Sequence, residues 1–299
     1  MDEQETRELI ERVHAELSSG GGTDERSPDS TDRRSPDIKD RRARELPEQQ
    51  IRRAIERRIG EGAVRANAEA GDRGASTEDG GDWDRALAGR IDHTALGPAT
   101  SIEEIEWLCG EARRYRFASV CVPPCYVEMA AAWLTGEPVA VCTVVGFPLG
   151  TTHPEAKVRE SVLAAGDGAT EIDMVLNVGM LKSHEFGYVG EDIRAVVRAV
   201  QHRGILVKVI LETGLLTDEE KVAACILAQR AGADFVKTST GFSSGGATAR
   251  DVELMRRVVG DSMGVKAAGG IRTAQDARRM LEHGASRIGA SASVAIVQS

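Results

Sequence analysis

Three lysines sit inside apolar runs: Lys208 in Val207-Lys-Val-Ile-Leu-Glu, Lys237 in Phe235-Val-Lys-Thr-Ser-Thr, and Lys266 in Gly264-Val-Lys-Ala-Ala-Gly-Gly. The whole chain has only seven lysines, so three in such surroundings call for a reason. Successive side chains of a strand face opposite sides. Val207, Val209, Val236 and Val265 suit one side, which turns the lysines to the other. Asp173, between Ile172 and Met174, and Asp92, between Ile91 and His93, fall in the same way. The expected inward set is Asp92, Asp173, Lys208, Glu212, Lys237 and Lys266. Buried charges are costly unless paired. A salt-bridged interior without chemistry is one outcome. The other is catalysis, because a neutral amine next to a charged one can form an imine with a carbonyl compound. A like charge and partial desolvation both favour the neutral amine.

A second chemical signal concerns phosphate. Ala268-Gly-Gly-Ile-Arg-Thr273 leaves one strand and opens a helix, and Ile288-Gly-Ala-Ser291 does the same later. Backbone amides at glycine turns and helix N-termini bind anions. The segment Thr240-Gly-Phe-Ser-Ser-Gly-Gly246 adds a loop able to close over a ligand.

These residues need a frame. Strands are predicted at 91–95, 119–122, 139–145, 171–176, 206–211, 235–239, 265–268 and 287–290, with amphipathic helical patterns between them. Ser101, Thr217 and Thr273 precede acid-rich first turns and read as N-caps. Gly232, Gly260 and Gly284 read as helix ends. Eight strands alternating with helices predict parallel βαβ units closed into a (β/α)8 TIM barrel over residues 83–299, with the charged set at the strand ends where barrel enzymes act. A doubly wound open sheet is the alternative. It calls for a glycine-rich turn after the first strand, and Asp92-His-Thr-Ala-Leu-Gly97 is not one.

Residues 1–82 differ in kind. They hold 36 charged residues and no aromatic one, against 49 charges in the following 217 residues. Such a segment cannot bury enough apolar area to offset its chain entropy, so a largely disordered, charged extension is expected. Helices are possible at 6–17 and 47–66, the latter carrying Ile51, Ile55 and Ile59 on one stripe. The net charge of −9 argues against nucleic acid as a partner. The longest apolar stretch, Val139 to Phe147, is too short to span a bilayer, and the start lacks a secretory pattern. A cytoplasmic location is expected. Five cysteines without a CxxC pair predict buried thiols rather than disulfides or zinc.

Seven stretches together resemble the deoxyribose-phosphate aldolase family of class I aldolases. They are Ile91-Asp-His-Thr94, Val144-Val-Gly-Phe-Pro-Leu-Gly150, Glu171-Ile-Asp-Met-Val-Leu-Asn177, Lys208-Val-Ile-Leu-Glu-Thr213, Phe235-Val-Lys-Thr-Ser-Thr-Gly-Phe242, Val265-Lys-Ala-Ala-Gly-Gly-Ile-Arg272 and Arg287-Ile-Gly-Ala-Ser291. They run in family order along residues 90–291, and no such resemblance covers residues 1–82. The resemblance implies cleavage of 2-deoxy-D-ribose 5-phosphate in deoxyribonucleoside catabolism, without metal or organic cofactor. It implies Lys237 as the Schiff-base lysine, Lys266 as the second lysine that keeps it neutral and shares in proton transfer, and Asp173 as the acid/base acting with a water. Asp92 and Lys208 would hold that network in register. Gly269, Gly270, Arg272 (mainly through backbone amides), Gly289 and Ser291 would receive the phosphate. Relatives are commonly dimers or larger, so a homodimer is expected. Pro123, Ala292 and the Gln298-Ser299 end depart from the common pattern, and none of them touches the two lysines or Asp173. An aldolase of another phosphorylated sugar, or an inactive sugar-phosphate-binding barrel, would share much of this pattern.

Overall fold

The computed structural model describes residues 3–19 and 83–299. The predicted helix at 47–66, with its Ile51, Ile55 and Ile59 stripe, lies outside the described residues. Eight short strands form one closed parallel barrel in sequence order: β1 (Ile91–Thr94), β2 (Ser119–Val122), β3 (Ala140–Val145), β4 (Glu171–Val175), β5 (Leu206–Ile210), β6 (Phe235–Lys237), β7 (Gly264–Ala268) and β8 (Arg287–Ala290). Strand β1 pairs with both β2 and β8, which closes the ring. The open-sheet alternative is thereby excluded.

Helices connect the successive parallel strands. A short α2 (Arg85–Ala88) enters β1, and α3 (Ile102–Tyr115), α4 (Val127–Trp133) and α5 (Pro154–Gly166) return after β1 to β3. After β4 come α6 (Val178–Lys182) and α7 (Phe186–Val200); α8 (Asp218–Ala231), α9 (Ala249–Val259), α10 (Ala274–Glu282) and α11 (Ser293–Val297) follow β5 to β8. Ser101, Thr217 and Thr273 each form a reciprocal capping box, with Glu104, Glu220 and Asp276 respectively. Each box satisfies two otherwise orphaned donors and fixes where the helix starts. Gly232 ends α8 in the left-handed conformation that an L side chain adopts only with strain.

Strand parity divides the core into two chemistries. Val120, Ile172, Val207, Val209, Val236, Val265 and Ile288 face the helices and are buried in one large apolar cluster. The opposite parity points into the barrel. There Phe235 fills the N-terminal end, and a Cβ on Gly264 would sit 2.1 Å from its ring. Only glycine leaves room for that ring.

Two polar links outside the barrel interior fix the strand ends. Lys157 of α5 is fully buried; its ammonium donates to Asp192 of α7 at 2.5 Å and to the Val175 carbonyl of β4 at 3.0 Å. Glu160 accepts from the Gly146 amide just after β3 at 2.8 Å. The C-terminal end of β4, two residues beyond Asp173, is therefore tied down from behind.

The first described segment is helix α1 (Glu3–Ser19). Thr6, Leu9 and Val13 lie on one face and are buried, with α8 as the principal neighbour and α9 beside it. Arg257 donates to the Thr6 hydroxyl, and Arg12 pairs with Glu219 at 3.2 Å. No described helix is long and apolar enough to cross a membrane.

Gly264→Ala is predicted to destabilise the barrel by about 1–3 kcal/mol through overpacking against Phe235. Adding Phe235→Leu should recover part of the loss. Thermal melts of the single and double variants check this, and an unchanged midpoint in Gly264→Ala contradicts it.

Candidate active site

At the centre of the barrel lies one carboxylate. Asp173 on β4 is fully buried and touches three ammonium groups: Lys208 at 2.7 Å on Oδ1, and Lys237 and Lys266 at 2.7 Å each on Oδ2. Register explains the convergence. Asp173 is the cross-strand partner of Lys208, and Lys237 the partner of Lys266. Inward parity on β4 to β7 then aims all four side chains at one volume.

Below this layer, toward the N-terminal ends of the strands, a second set closes the network. Asp92 on β1 takes Lys266 at 2.5 Å and lies 3.9 Å from Lys208. Glu171, the first residue of β4, takes Lys208 at 2.7 Å. Arg287, the first residue of β8, donates to Asp92 at 2.5 Å and to Glu171 at 3.2 Å. Glu171 and Arg287 are functional neighbours that residue-by-residue reading of the sequence passed over, although each shares the inward parity of a neighbour already counted. Cys142 on β3 is a third such residue. Its thiol donates to Asp173 at 3.2 Å and accepts from Lys208 at 3.2 Å.

The electrostatics follow from the pairing. Burial alone would raise the Asp173 carboxyl, but Lys208, Lys237 and Lys266 overcome it and hold that carboxyl well below the usual range. Asp92 is likewise lowered: Lys266, Lys208 and Arg287 outweigh its burial. Burial would also favour neutral amines at Lys208 and Lys266, yet the adjoining carboxylates keep both ammonium groups above the ordinary lysine value. Burial drives the Cys142 thiol up, so it stays a neutral donor. The resulting set holds four cations (Lys208, Lys237, Lys266 and Arg287) and three anions (Asp92, Asp173 and Glu171), one positive charge in excess.

Access separates the lysines. A cavity of about 250 Å³ opens at the C-terminal end of the barrel, and Lys237 lines it while Lys208 and Lys266 do not. Thr94, Leu96 and Phe242 form part of its wall. The Phe242 ring meets Phe147 edge-on with centroids 5.2 Å apart. Gly269, Gly270, Arg272, Gly289 and Ser291 line the same cavity, so the whole predicted phosphate set shares it with Lys237. The approach there is close: a Cβ on Gly246 would lie 2.4 Å from the Gly269 carbonyl oxygen, and the Ala247 amide donates to that oxygen at 3.0 Å. The Arg272 amide, expected to face the anion, donates instead to Asp276 at 3.3 Å as part of the α10 cap. That amide is therefore already partnered, while the residue itself lines the cavity.

Glu212 corrects the inward set. It is buried, but it accepts from the Thr240 amide at 3.2 Å and from the Thr240 hydroxyl, and so anchors the loop after β6 apart from the lysines. All five cysteines are free, with Cys125 exposed and the other four buried. Cys121, Cys142 and Asp173 lie within 4.8 Å of one another, a spacing that could hold a metal ion. Three ammonium groups already occupy the Asp173 oxygens, and an added cation would meet their repulsion.

A parallel (β/α)8 barrel with a lysine at the floor of a cavity, a buried carboxylate on its amine and glycine-rich loops opposite has the layout of an aldolase site for a phosphorylated carbonyl compound. The family model for the DeoC/LacD family aldolases matches residues 86–297. The chain is 60% identical over 213 residues to the deoxyribose-phosphate aldolase of Caldanaerobacter subterraneus subsp. tengcongensis, covering 71% of this chain and 92% of the relative. It is 59% identical to the deoxyribose-phosphate aldolase of Halalkalibacterium halodurans, covering 71% of this chain and 95% of that one. Among solved structures, the tetrameric deoxyribose phosphate aldolase of Aeropyrum pernix superposes with a TM-score of 0.67 at 35% identity, over 71% of this chain and 89% of the other. The chain belongs to the DeoC/LacD aldolase family.

Stability should track the cluster's charge. Asp92 and Asp173 are depressed on folding, so their contribution is complete above the unfolded value of about 3.9 and is lost as pH falls through the folded value. Lys208 and Lys266 are raised, so theirs is complete below about 10.4 and is lost as pH rises further. Asp173→Asn leaves buried ammonium groups under-paired and is predicted to cost about 3–5 kcal/mol at pH 7. The penalty should shrink toward pH 10 as those groups shed protons. Denaturant melts at both pH values check the sign, and a penalty independent of pH contradicts it.

Proposed function

We propose that the chain is a class I aldolase that reversibly cleaves 2-deoxy-D-ribose 5-phosphate to D-glyceraldehyde 3-phosphate and acetaldehyde. The observation that carries this reading is access: of the three clustered lysines, only Lys237 lines the cavity that also presents Gly269, Gly270, Arg272, Gly289 and Ser291. Its relatives at about 60% identity bear the name of that activity.

In this scheme the sugar's phosphate sits against the loops after β7 and β8, with the Arg272 guanidinium as its charged partner, and the open-chain aldehyde carbon meets the Lys237 amine. Addition gives a carbinolamine. Loss of water gives a protonated imine, which acts as the electron sink for carbon–carbon cleavage. Asp173, through a water, takes the proton of the C3 hydroxyl. The C2–C3 bond breaks, its electron pair moves into the imine to give an enamine, and glyceraldehyde 3-phosphate leaves. Protonation at C2 and hydrolysis of the imine release acetaldehyde and restore Lys237. Lys266 stays charged beside the Lys237 nitrogen, and its like charge disfavours a protonated amine there before addition. Lys208 and Asp92 hold Asp173 and Lys266 in place.

Residues 83–299 act as the catalytic unit, and residues 1–82 are dispensable for turnover. The protein works as a cytoplasmic homodimer; light scattering of the purified chain reads its mass. Removing residues 1–82 also removes α1, so the shortened chain should melt earlier while keeping its turnover rate.

Borohydride reduction in the presence of 2-deoxyribose 5-phosphate, followed by peptide mapping, should place a single adduct on Lys237. Lys237→Leu should abolish both adduct and cleavage. An adduct on Lys266 or Lys208 reverses the roles, and binding without any adduct or cleavage identifies an inactive sugar-phosphate-binding barrel.

A further inference from the structure

Arg287 and Glu171 lie at the starts of β8 and β4, at the end of the barrel opposite the cavity, and neither lines it. Both are nonetheless wired to the reacting centre. Arg287 contacts Asp92 at 2.5 Å, Asp92 contacts Lys266 at 2.5 Å, and Lys266 shares the Asp173 Oδ2 atom with Lys237. Glu171 contacts Lys208 at 2.7 Å, and Lys208 holds the other Asp173 oxygen at 2.7 Å. Solvent screens little of this chain, since the Arg287 side chain is 15% exposed and that of Glu171 5%.

We propose that Arg287 and Glu171 are positioning residues that set the net charge of the lysine cluster, and through it the acid limb of the pH profile of cleavage. Every strand but β6, which carries Lys237, contributes a group to the cluster around it: Asp92 from β1, Cys121 from β2, Cys142 from β3, Glu171 and Asp173 from β4, Lys208 from β5, Lys266 from β7 and Arg287 from β8. Arg272 adds a cation across the cavity. A guanidinium does not give up its proton in a protein. Arg287 is thus the fixed charge that leaves the cluster with one proton more than its carboxylates balance. Loss of one proton brings the set to three cations and three anions. Lys237, the amine a substrate can reach, shares an Asp173 oxygen with Lys266, so the charge of the set bears on it directly.

This inference rests on the Schiff-base reading, and its test keeps the two apart. The measurement is the pH profile of kcat/KM for cleavage, which reports the free enzyme's titration. The substrate phosphate titrates identically with every variant, so differences between variants belong to the protein. Arg287→Met removes a positive charge, the cluster holds its proton more tightly, and the acid limb moves to higher pH. Glu171→Gln removes a negative charge and moves the limb to lower pH. Each shift should be about one pH unit, the order expected for a unit charge a few side chains away at an effective dielectric near 20. The double variant restores the net charge and should bring the limb back toward that of the unmodified protein. Arg287→Lys and Glu171→Asp, which keep the charge, should leave it in place.

Limbs that stay put in both charge-removing variants, or move in the same direction, overturn the proposal. Should either variant fail to fold, the double variant and the remaining single one decide, because the charge account requires the limb to differ between them. Borohydride trapping on the same preparations separates the failures. An unmodified protein that traps on Lys237 while the limbs do not respond sinks this inference alone; one that does not trap sinks the Schiff-base reading itself.

Discussion

A carboxylate removed from water needs counter-charges, and three ammonium groups removed from water need a carboxylate. In this barrel the two requirements are met at a single residue. Asp173 holds Lys208, Lys237 and Lys266 within 2.7 Å, and all four are buried, Lys237 alone at the cavity floor. Removing one partner would leave the others buried and under-paired, which costs far more than the pair itself contributes. The rest of the interior is arranged around that fact. Asp92, Glu171 and Arg287 balance the lower layer, Phe235 fills the space beneath, and Lys157 ties the end of β4 to the helix layer.

The same constraint divides labour among chemically equivalent amines. Three lysines on three adjacent strands share one carboxylate, so bond chemistry alone does not distinguish them. Depth does. Lys208 and Lys266 are sealed among anions and stay ammonium, while Lys237 sits at the cavity floor. Strain plays no part in this account; charge, burial and access suffice.

Much of this was legible in the sequence because a parallel barrel buries both faces of its strands. Valine on one parity and charge on the other leaves little freedom in how β5, β6 and β7 can sit, and Ser101, Thr217 and Thr273 announce their helices through the capping boxes they form. Glu171 and Arg287 escaped notice because their pairing is made across the barrel between residues 116 apart, with no local pattern to mark it. Glu212 misled for the opposite reason: its place at the end of β5 looked inward, but the left-handed backbone there swings it to Thr240. The Arg272 amide follows a glycine turn, the pattern of an anion site, yet it is taken by Asp276 of the helix cap four residues on. Helix α1 shows how a segment poor in apolar residues can still dock, through Leu9 and Val13 on one stripe.

The central claim is that access singles out one of three lysines bound to the same carboxylate. A crystal structure of the protein reduced with borohydride in the presence of acetaldehyde reads that selection directly. The expected result is an ethyl group on the Lys237 Nζ, with Lys208 and Lys266 unmodified and still on Asp173. Modification of Lys208 or Lys266, or of all three, would contradict it.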